Sequence, residues 1–175
     1  ITLFTLLNAE NNIKIIAFAQ DTMSNDFRKA QVFEAKDAAS KYKDIKFVYS
    51  DAKGQTSLLI KQIEKFILDK VDVIIVGTND AQAVVPIISK AYEQGIGVII
   101  LDRGIDGTNY SSFINSDNIK IGKIGAEYLA KKLNGKGEIL LFEGLQKADV
   151  THLRTKGFMD EISKYKDIKV IKRTG

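Results

Sequence analysis

The sequence lacks residue types that several common classes of chemistry require. None of its 175 residues is a cysteine, and the only histidine is His152. Disulfide bonds, thiolate catalysis and cysteine-based zinc sites are therefore excluded. A metal site built from several histidines is excluded for the same reason, so we expect neither a metal ion nor a cofactor.

Signatures of common enzyme classes are also missing. The sequence contains no G-x-S-x-G nucleophile elbow, no G-x-x-x-x-G-K-[ST] phosphate loop and no G-x-G-x-x-G after a strand. Asp21 and Asp51 are similar to the acidic cluster of a phospho-receiver domain, but residues 77–80 match its phosphoacceptor segment poorly. His152 is predicted to be an exposed helix residue rather than a base. We predict a protein that is not an enzyme, although fold alone does not exclude an enzyme acting on a sugar or phosphate.

Charge of one sign is not concentrated anywhere along the chain. The 26 lysines and arginines are interspersed with 22 aspartates and glutamates, which leaves a net charge of +4. This pattern is typical of solvated helix faces rather than of a nucleic-acid-binding stripe. We therefore predict that nucleic acid is not a partner.

The N-terminal apolar run, residues 1–7, is too short to cross a bilayer, which needs about 20 residues. A polar stretch follows it as far as Asn12. One interpretation is that residues 1–12 are the remnant of a membrane anchor or signal helix followed by a linker. The alternative is an edge strand or a fraying terminus.

Beyond this run, apolar segments typical of strands alternate with segments of helical periodicity. Strands are predicted at residues 13–19, 45–49, 71–76 and 98–102, and helices at residues 27–42, 56–69 and 81–94. Strict alternation predicts parallel β-α-β units with right-handed crossovers. The sequence therefore predicts an α/β fold, with a doubly wound, Rossmann-like parallel sheet lobe over residues 13–110.

A second series of elements occupies residues 111–175. It comprises a short extended segment at residues 111–114, helices at 118–133 and 150–165, and strands at 137–142 and 168–171. Two full strands and two helices are too few to cover both faces of a sheet. We predict that this part is the beginning of a second, incomplete α/β lobe.

Asp102 and Arg103 come directly after a wholly apolar strand. Ligands of open α/β sheets bind outside the carboxyl ends of the strands, where the loops at residues 20–27, Asp51 and residues 78–80 should also converge. A carboxylate acceptor beside a guanidinium with five donors suits a molecule rich in hydroxyls. The alternative is an ordinary ion pair in a surface loop.

Each polar candidate at this edge also has a purely structural interpretation. Asn25 is well placed to cap the first helix, and Phe27 is either a ring for the apolar face of a sugar or a core residue. Asp51, Asn79 and Asp80 are equally typical of turns and caps.

Five short motifs occur in a fixed order along the chain. They are Asn25-x-Phe27, Thr78-Asn79-Asp80, Leu101-Asp102-Arg103-Gly104, Ser116-Asp117-Asn118 and Arg154-x-x-Gly157-Phe158. In this order and spacing the chain resembles the type I periplasmic sugar-binding proteins, close to the ribose- and xylose-binding group. The similarity covers residues 13–172, and each motif alone is a weak signal.

The resemblance implies two α/β lobes that close on a monosaccharide. Asn25, Asp102 and Arg103 of the first lobe would bind sugar hydroxyls. Phe27 would stack on the sugar ring, and Arg154 would reach in from the second lobe.

The resemblance also implies a hinge and shows two departures from the family pattern. Ser116, Asp117 and Asn118 would mark the first crossing between the lobes, within residues 111–175. Asp26 stands where the family usually has proline, and Arg28 where a second aromatic ring is common. Because a ring is replaced by a cation, we expect Arg28 itself to bind hydroxyls.

The function implied is extracytoplasmic binding of a pentose such as xylose or ribose. An ABC permease or a membrane sensor histidine kinase would recognise the closed receptor. The alternative is the effector domain of a sugar-responsive repressor, which should carry a DNA-binding helix-turn-helix before residue 13. Residues 1–12 do not have that pattern.

Overall fold

The structure is a computed structural model that describes residues 13–174. The interpretation of residues 1–12 as an anchor remnant lies outside the described residues. The elements in chain order are β1 (Lys14–Gln20), α1 (Asp26–Ala39), β2 (Ile45–Asp51), α2 (Thr56–Leu68), β3 (Val73–Gly77), α3 (Val85–Glu93), β4 (Gly97–Leu101), β5 (Ser112–Ile114), α4 (Asn118–Lys132), β6 (Lys136–Phe142), α5 (Asp149–Ile162) and β7 (Asp167–Thr174). No helix within this range has both the length and the apolar content to cross a membrane.

The first five strands form one wholly parallel sheet in the order β2-β1-β3-β4-β5. The helix α1 connects strands in one direction across the sheet, whereas α2 and α3 connect strands in the opposite direction. Right-handed crossovers therefore place α1 on one face and the other two helices on the other. The predicted α/β fold with a doubly wound parallel sheet is confirmed.

The second group of elements builds a separate two-stranded sheet. Its strands β6 and β7 pair in parallel, and α4 and α5 pack tightly against each other. A second apolar cluster, which includes Ala126, Ile139, Phe158 and Ile168, lies between these helices and strands. The division of the chain near residue 110 into two lobes stays a prediction.

Two elements differ from the sequence prediction in a way that physical chemistry explains. The helix predicted from residue 81 begins at Val85 instead. Pro86 has no N–H to bond back to residue 82, and the Asp80 carboxylate accepts a bond from the Ala83 N–H at 3.0 Å. These two residues favour a turn over residues 81–84 before the regular helix.

The second difference concerns the extended segment at residues 111–114. Its position in the chain predicts that it belongs with the second series, but its residues Ser112–Ile114 form β5, which pairs with β4 of the first sheet. The Ser111 hydroxyl also accepts a hydrogen bond from the Val98 N–H at 3.0 Å. Three residues are too few for their pattern to identify the strand beside them.

The core of the five-stranded sheet and its helices consists mainly of branched aliphatic side chains. Leu59 of α2 is completely buried there, whereas Leu68 at the end of the same helix is 73% exposed. Burial of this kind supplies most of the stability of a helix whose own propensity is modest. The two leucines therefore make a matched pair for testing the core.

We expect Leu59→Ala to lower the free energy of unfolding by about 2–5 kcal/mol, because it removes buried methyl groups and leaves a cavity. Leu68→Ala should change it by less than about 0.5 kcal/mol. Urea unfolding followed by circular dichroism measures both variants. Equal effects would contradict the burial of α2 described here.

Candidate functional site

A cavity of about 450 Å³ opens where the carboxyl ends of β1 and β4 meet α5. The seven residues lining it are Asn25, Phe27, Arg28, Asp102, Arg103, Val150 and Arg154. Six of them are the binding residues predicted from the sequence, and they come from three separate parts of the chain. The structure brings these six together, while their role in binding a ligand stays a prediction.

Asn25 both caps a helix and lines the cavity. Its backbone is extended, and its Oδ1 accepts a hydrogen bond from the Arg28 N–H at 3.0 Å. This bond satisfies one of the free donors at the start of α1. The cap therefore fixes where the next side chains of the helix enter the cavity.

Phe27 is not a core residue. Its side chain is 59% exposed, and its ring lies on the cavity wall. The Arg28 guanidinium lies 5.6 Å from the ring centroid, within the range of a cation–π contact. The ring therefore presents an apolar surface in a wall whose other lining residues, apart from Val150, are polar or charged.

Arg28 is almost completely buried, with 3% of the residue exposed. Its Nη2 lies 3.0 Å from the Asp102 Oδ2, and its Nη1 donates to the Gln31 Oε1 at 3.1 Å. Two partners on one guanidinium fix its orientation, because the donors of arginine form a rigid fork. The position next to Phe27 thus carries a cation that is held in place.

Asp102 adopts a left-handed backbone conformation, with φ of +68°. Aspartate tolerates this conformation better than most residues. The Asp102 N–H donates to the Ile114 carbonyl at 2.8 Å, so β5 fixes the turn that follows β4. This turn directs both Asp102 and Arg103 into the cavity wall.

Arg103 contacts a second carboxylate that lies behind the wall. Its Nη1 donates to the Asp21 Oδ2 at 3.3 Å and approaches the Thr78 carbonyl at 3.5 Å. Burial and the nearby charge of Arg28 lower the pKa of the Arg103 guanidinium, which nonetheless stays charged at neutral pH. A structural partner for Arg103 is therefore already present without a ligand.

Arg154 reaches the cavity from α5. Its Nε donates to the Asn118 Oδ1 at 2.8 Å, and the Asn118 amide donates in turn to the Ser116 carbonyl. Asp117 caps α4 by accepting from the Lys120 N–H at 2.9 Å. Of the three residues predicted to form the hinge, Asn118 therefore contacts the Arg154 side chain directly, and spacing in the sequence did not reveal this link.

The other polar residues predicted at this edge of the sheet, Asp51, Asn79 and Asp80, lie at the same end of the strands but do not line this cavity. Asp51 accepts from the backbone of Met23 and Lys53, and Asp80 pairs with Lys147 at 3.1 Å. His152 is exposed, as predicted, and its Nε2 lies 2.7 Å from the Gln146 carbonyl. These residues build turns and contacts between loops, which their types also predict.

Two positioning residues were missed by the sequence analysis. Gln31 lies one helical turn after Arg28 on α1, and that spacing was a usable signal. Asp21 was noted only as an acidic residue of the first loop, whereas it is 2% exposed and lies close to both Arg28 and Arg103. Nothing in the spacing of residues 21, 28 and 103 indicates that contact.

Comparison with known proteins identifies the family of this chain. Residues 16–175 match the family model described as a periplasmic binding protein domain. The galactofuranose-binding protein YtfQ of Escherichia coli K12 is 30% identical over 90% of this chain and 50% of its own length. The D-ribose/D-allose-binding protein of Pseudomonas aeruginosa is 29% identical over 83% of this chain and 48% of its own.

A solved structure is also similar in fold. The fructose-binding periplasmic domain of a hybrid two-component system superimposes with a TM-score of 0.88 and 32% identity, covering 92% of this chain and 53% of that one. The chain spans about half the length of the curated relatives it matches. These relatives are named as binding proteins rather than enzymes. The chain belongs to the family of type I periplasmic sugar-binding proteins.

Proposed function

We propose that the protein is an extracytoplasmic receptor that binds a monosaccharide, a pentose such as xylose or ribose, by closing two lobes around it. The observation that carries this proposal is the single cavity lined by Asn25, Phe27, Arg28, Asp102, Arg103 and Arg154. Its volume lies within the usual range for small-molecule sites.

The chemistry of the cavity wall suits a neutral sugar. Each sugar hydroxyl both donates and accepts, and the wall offers guanidinium donors, a carboxylate acceptor and an amide that does both. The exposed ring of Phe27 can cover the apolar face of a sugar ring. Preorganised donors improve affinity because less side-chain entropy is lost on binding.

The cavity is lined by residues from both groups of elements, and this supports a mechanism in which two lobes close on the ligand. Arg103 follows β4 of the first sheet, and Arg154 belongs to α5 of the second group. A ligand that binds both guanidiniums stabilises the arrangement in which they are close, and shifts the population toward it. Ser116, Asp117 and Asn118 form the hinge in this proposal, since they connect the two parts next to Arg154.

The comparisons support the class of ligand and one kind of partner. The relatives are named for galactofuranose, for ribose and allose, and for fructose, which are neutral monosaccharides. One relative is the periplasmic domain of a hybrid two-component system, which favours a sensor histidine kinase as partner. An ABC permease is the partner for a receptor that shuttles sugar, and an anchor at residues 1–12 would favour signalling.

A thermal-shift screen of the longest natural form of the protein tests this proposal. The panel is D-ribose, D-xylose, L-arabinose, D-galactose, D-fructose and, as a control for nonspecific polyol effects, glycerol. We expect one or more sugars to raise the Tm by several degrees, because a ligand at about 100 times its Kd adds about 2.7 kcal/mol to the stability of the native state. A cooperative melting curve that no sugar shifts would contradict the proposal.

A further inference from the structure

A buried carboxylate lies behind the wall of the cavity. Asp21 follows β1, is 2% exposed and does not line the cavity itself. Its Oδ2 lies 3.3 Å from the Arg103 Nη1, and its Oδ1 lies 3.9 Å from the Arg28 Nε. Asp21 therefore lies between the two guanidiniums of the first lobe.

Only one oxygen of Asp21 takes part in a hydrogen bond with a side chain, since its Oδ2 accepts from Arg103. Its Oδ1 is buried and has no hydrogen-bond donor among the described residues. Burying a carboxylate is costly unless it is fully paired, and here one oxygen is compensated only by the charge of Arg28. A buried charge with this arrangement acts on its surroundings mainly through its field.

The charges around the cavity show what that field does. Arg28, Arg103 and Arg154 bring three positive charges, and Asp102 is the only carboxylate on the wall. The lining side chains therefore carry an excess of two positive charges, and Asp21 offsets one of them from behind the wall, while the charge of Asp149 also acts on Arg103. A strongly positive cavity would attract anions, because charges interact strongly in partly buried sites.

We propose that Asp21 is a specificity-determining residue that cancels one guanidinium charge and so adapts the site to neutral sugars rather than to sugar acids. The inference rests on the proposed function, since it concerns the ligand of the same cavity. It assigns to Asp21 a role through Arg28 and Arg103 and not through direct contact with the sugar.

The pKa of Asp21 gives the same inference a second readout. Burial raises the pKa of this carboxyl above its usual value, although Arg28 from α1 and Arg103 from the turn after β4 act to lower it and Asp102 adds to the rise. As the pH falls through this raised pKa, Asp21 becomes neutral in the wild-type protein. As the pH is lowered, the preference for neutral sugars should therefore weaken. Because the pKa of Asp21 is raised, this weakening should begin at a higher pH than the titration of an ordinary aspartate would give.

The test compares Asp21→Asn with the wild-type protein in its longest natural form. Calorimetry measures the Kd of two matched pairs, D-xylose with D-glucuronate and D-galactose with D-galacturonate, whose members differ by a carboxylate. We expect Asp21→Asn to shift the ratio of uronate to neutral-sugar affinity toward the uronate by about tenfold or more. Asp72→Asn is the control, because Asp72 pairs with Lys14 at the opposite end of the sheet.

The outcomes separate this inference from the proposed function. If the variant folds and the ratio is unchanged, the inference is overturned while the proposed function stands. If the wild-type protein binds no neutral sugar, the proposed function is overturned and the inference with it. Should Asp21→Asn fail to fold, Asp21→Ser takes its place, since it also removes the charge: a rise in the same ratio supports the inference, and an unchanged ratio overturns it.

Discussion

Arg103→Ala is expected to weaken sugar binding by a hundredfold or more. Arg103 lines the cavity with its side chain already oriented by the Asp21 carboxylate and the Thr78 carbonyl. A hydrogen bond to a charged group contributes about 1.5–3 kcal/mol, so losing the bonds from the guanidinium to the sugar accounts for this change. The variant loses the donors to the sugar and also leaves Asp21 with less compensation.

The effect on folding differs from what the sequence alone indicates. If Arg103 had only the ligand as partner, its removal would leave stability unchanged. Because it pairs with a buried carboxylate, we expect Arg103→Ala to lower the free energy of unfolding by about 1–3 kcal/mol. Calorimetry with the sugar found in the thermal screen measures affinity, and urea unfolding measures stability.

Arg173 supplies a matched control for this prediction. It is the only one of the four arginines that does not line the cavity, and it pairs with Glu143 on an exposed strand. Arg173→Ala should leave the Kd unchanged, because surface ion pairs contribute little. Sugar affinity that is equally insensitive to Arg103→Ala would remove Arg103 from the site.

The sequence predicted the order of helices and strands well, because each depends on a local pattern. The strand β4 is a wholly apolar run between helical segments, and α2 places Leu59 and Ile63 on one face. Such periodicities follow from backbone geometry, so they can be recognised without knowledge of the tertiary contacts. The cavity residues were predicted because carboxyl ends of parallel strands meet at one edge and because five family motifs mark them.

The contacts that hold the site together were not predictable in the same way. Arg103 and its partner Asp21 are separated by 82 residues, and Arg154 and Asn118 by 36. No local periodicity relates such pairs, which form only because the sheet and the helix pair bring them together. The same reason explains why the partner of β5 was missed.

Gly157→Ala is expected to have the second large effect, through the crossing of α4 and α5. A Cβ at Gly157 would lie 2.0 Å from the Ile119 carbonyl oxygen, and one at Gly122 would lie 2.0 Å from the Arg154 carbonyl oxygen. Both contacts are with backbone, so no flexible side chain can move aside. The two helices must separate before an alanine fits.

Separation of the helices should weaken both stability and binding. Overpacking of this kind costs about 3 kcal/mol, since it also opens the apolar cluster around Ala126 and Phe158. It moves Arg154 away from Asn118 and therefore out of register with the cavity. We expect urea unfolding to show the loss of stability and calorimetry to show weaker binding of the sugar from the thermal screen.

Gly125→Ala is the control for the Gly157 variant, because it makes the same change on α4. Its added Cβ would lie 3.9 Å from the Phe158 Cδ2, which is ordinary contact, and alanine favours a helix over glycine by about 1 kcal/mol. This variant should match or exceed the wild-type stability and keep its sugar affinity. If Gly157→Ala behaved the same way, close backbone contact between α4 and α5 would not be what holds Arg154 at the cavity.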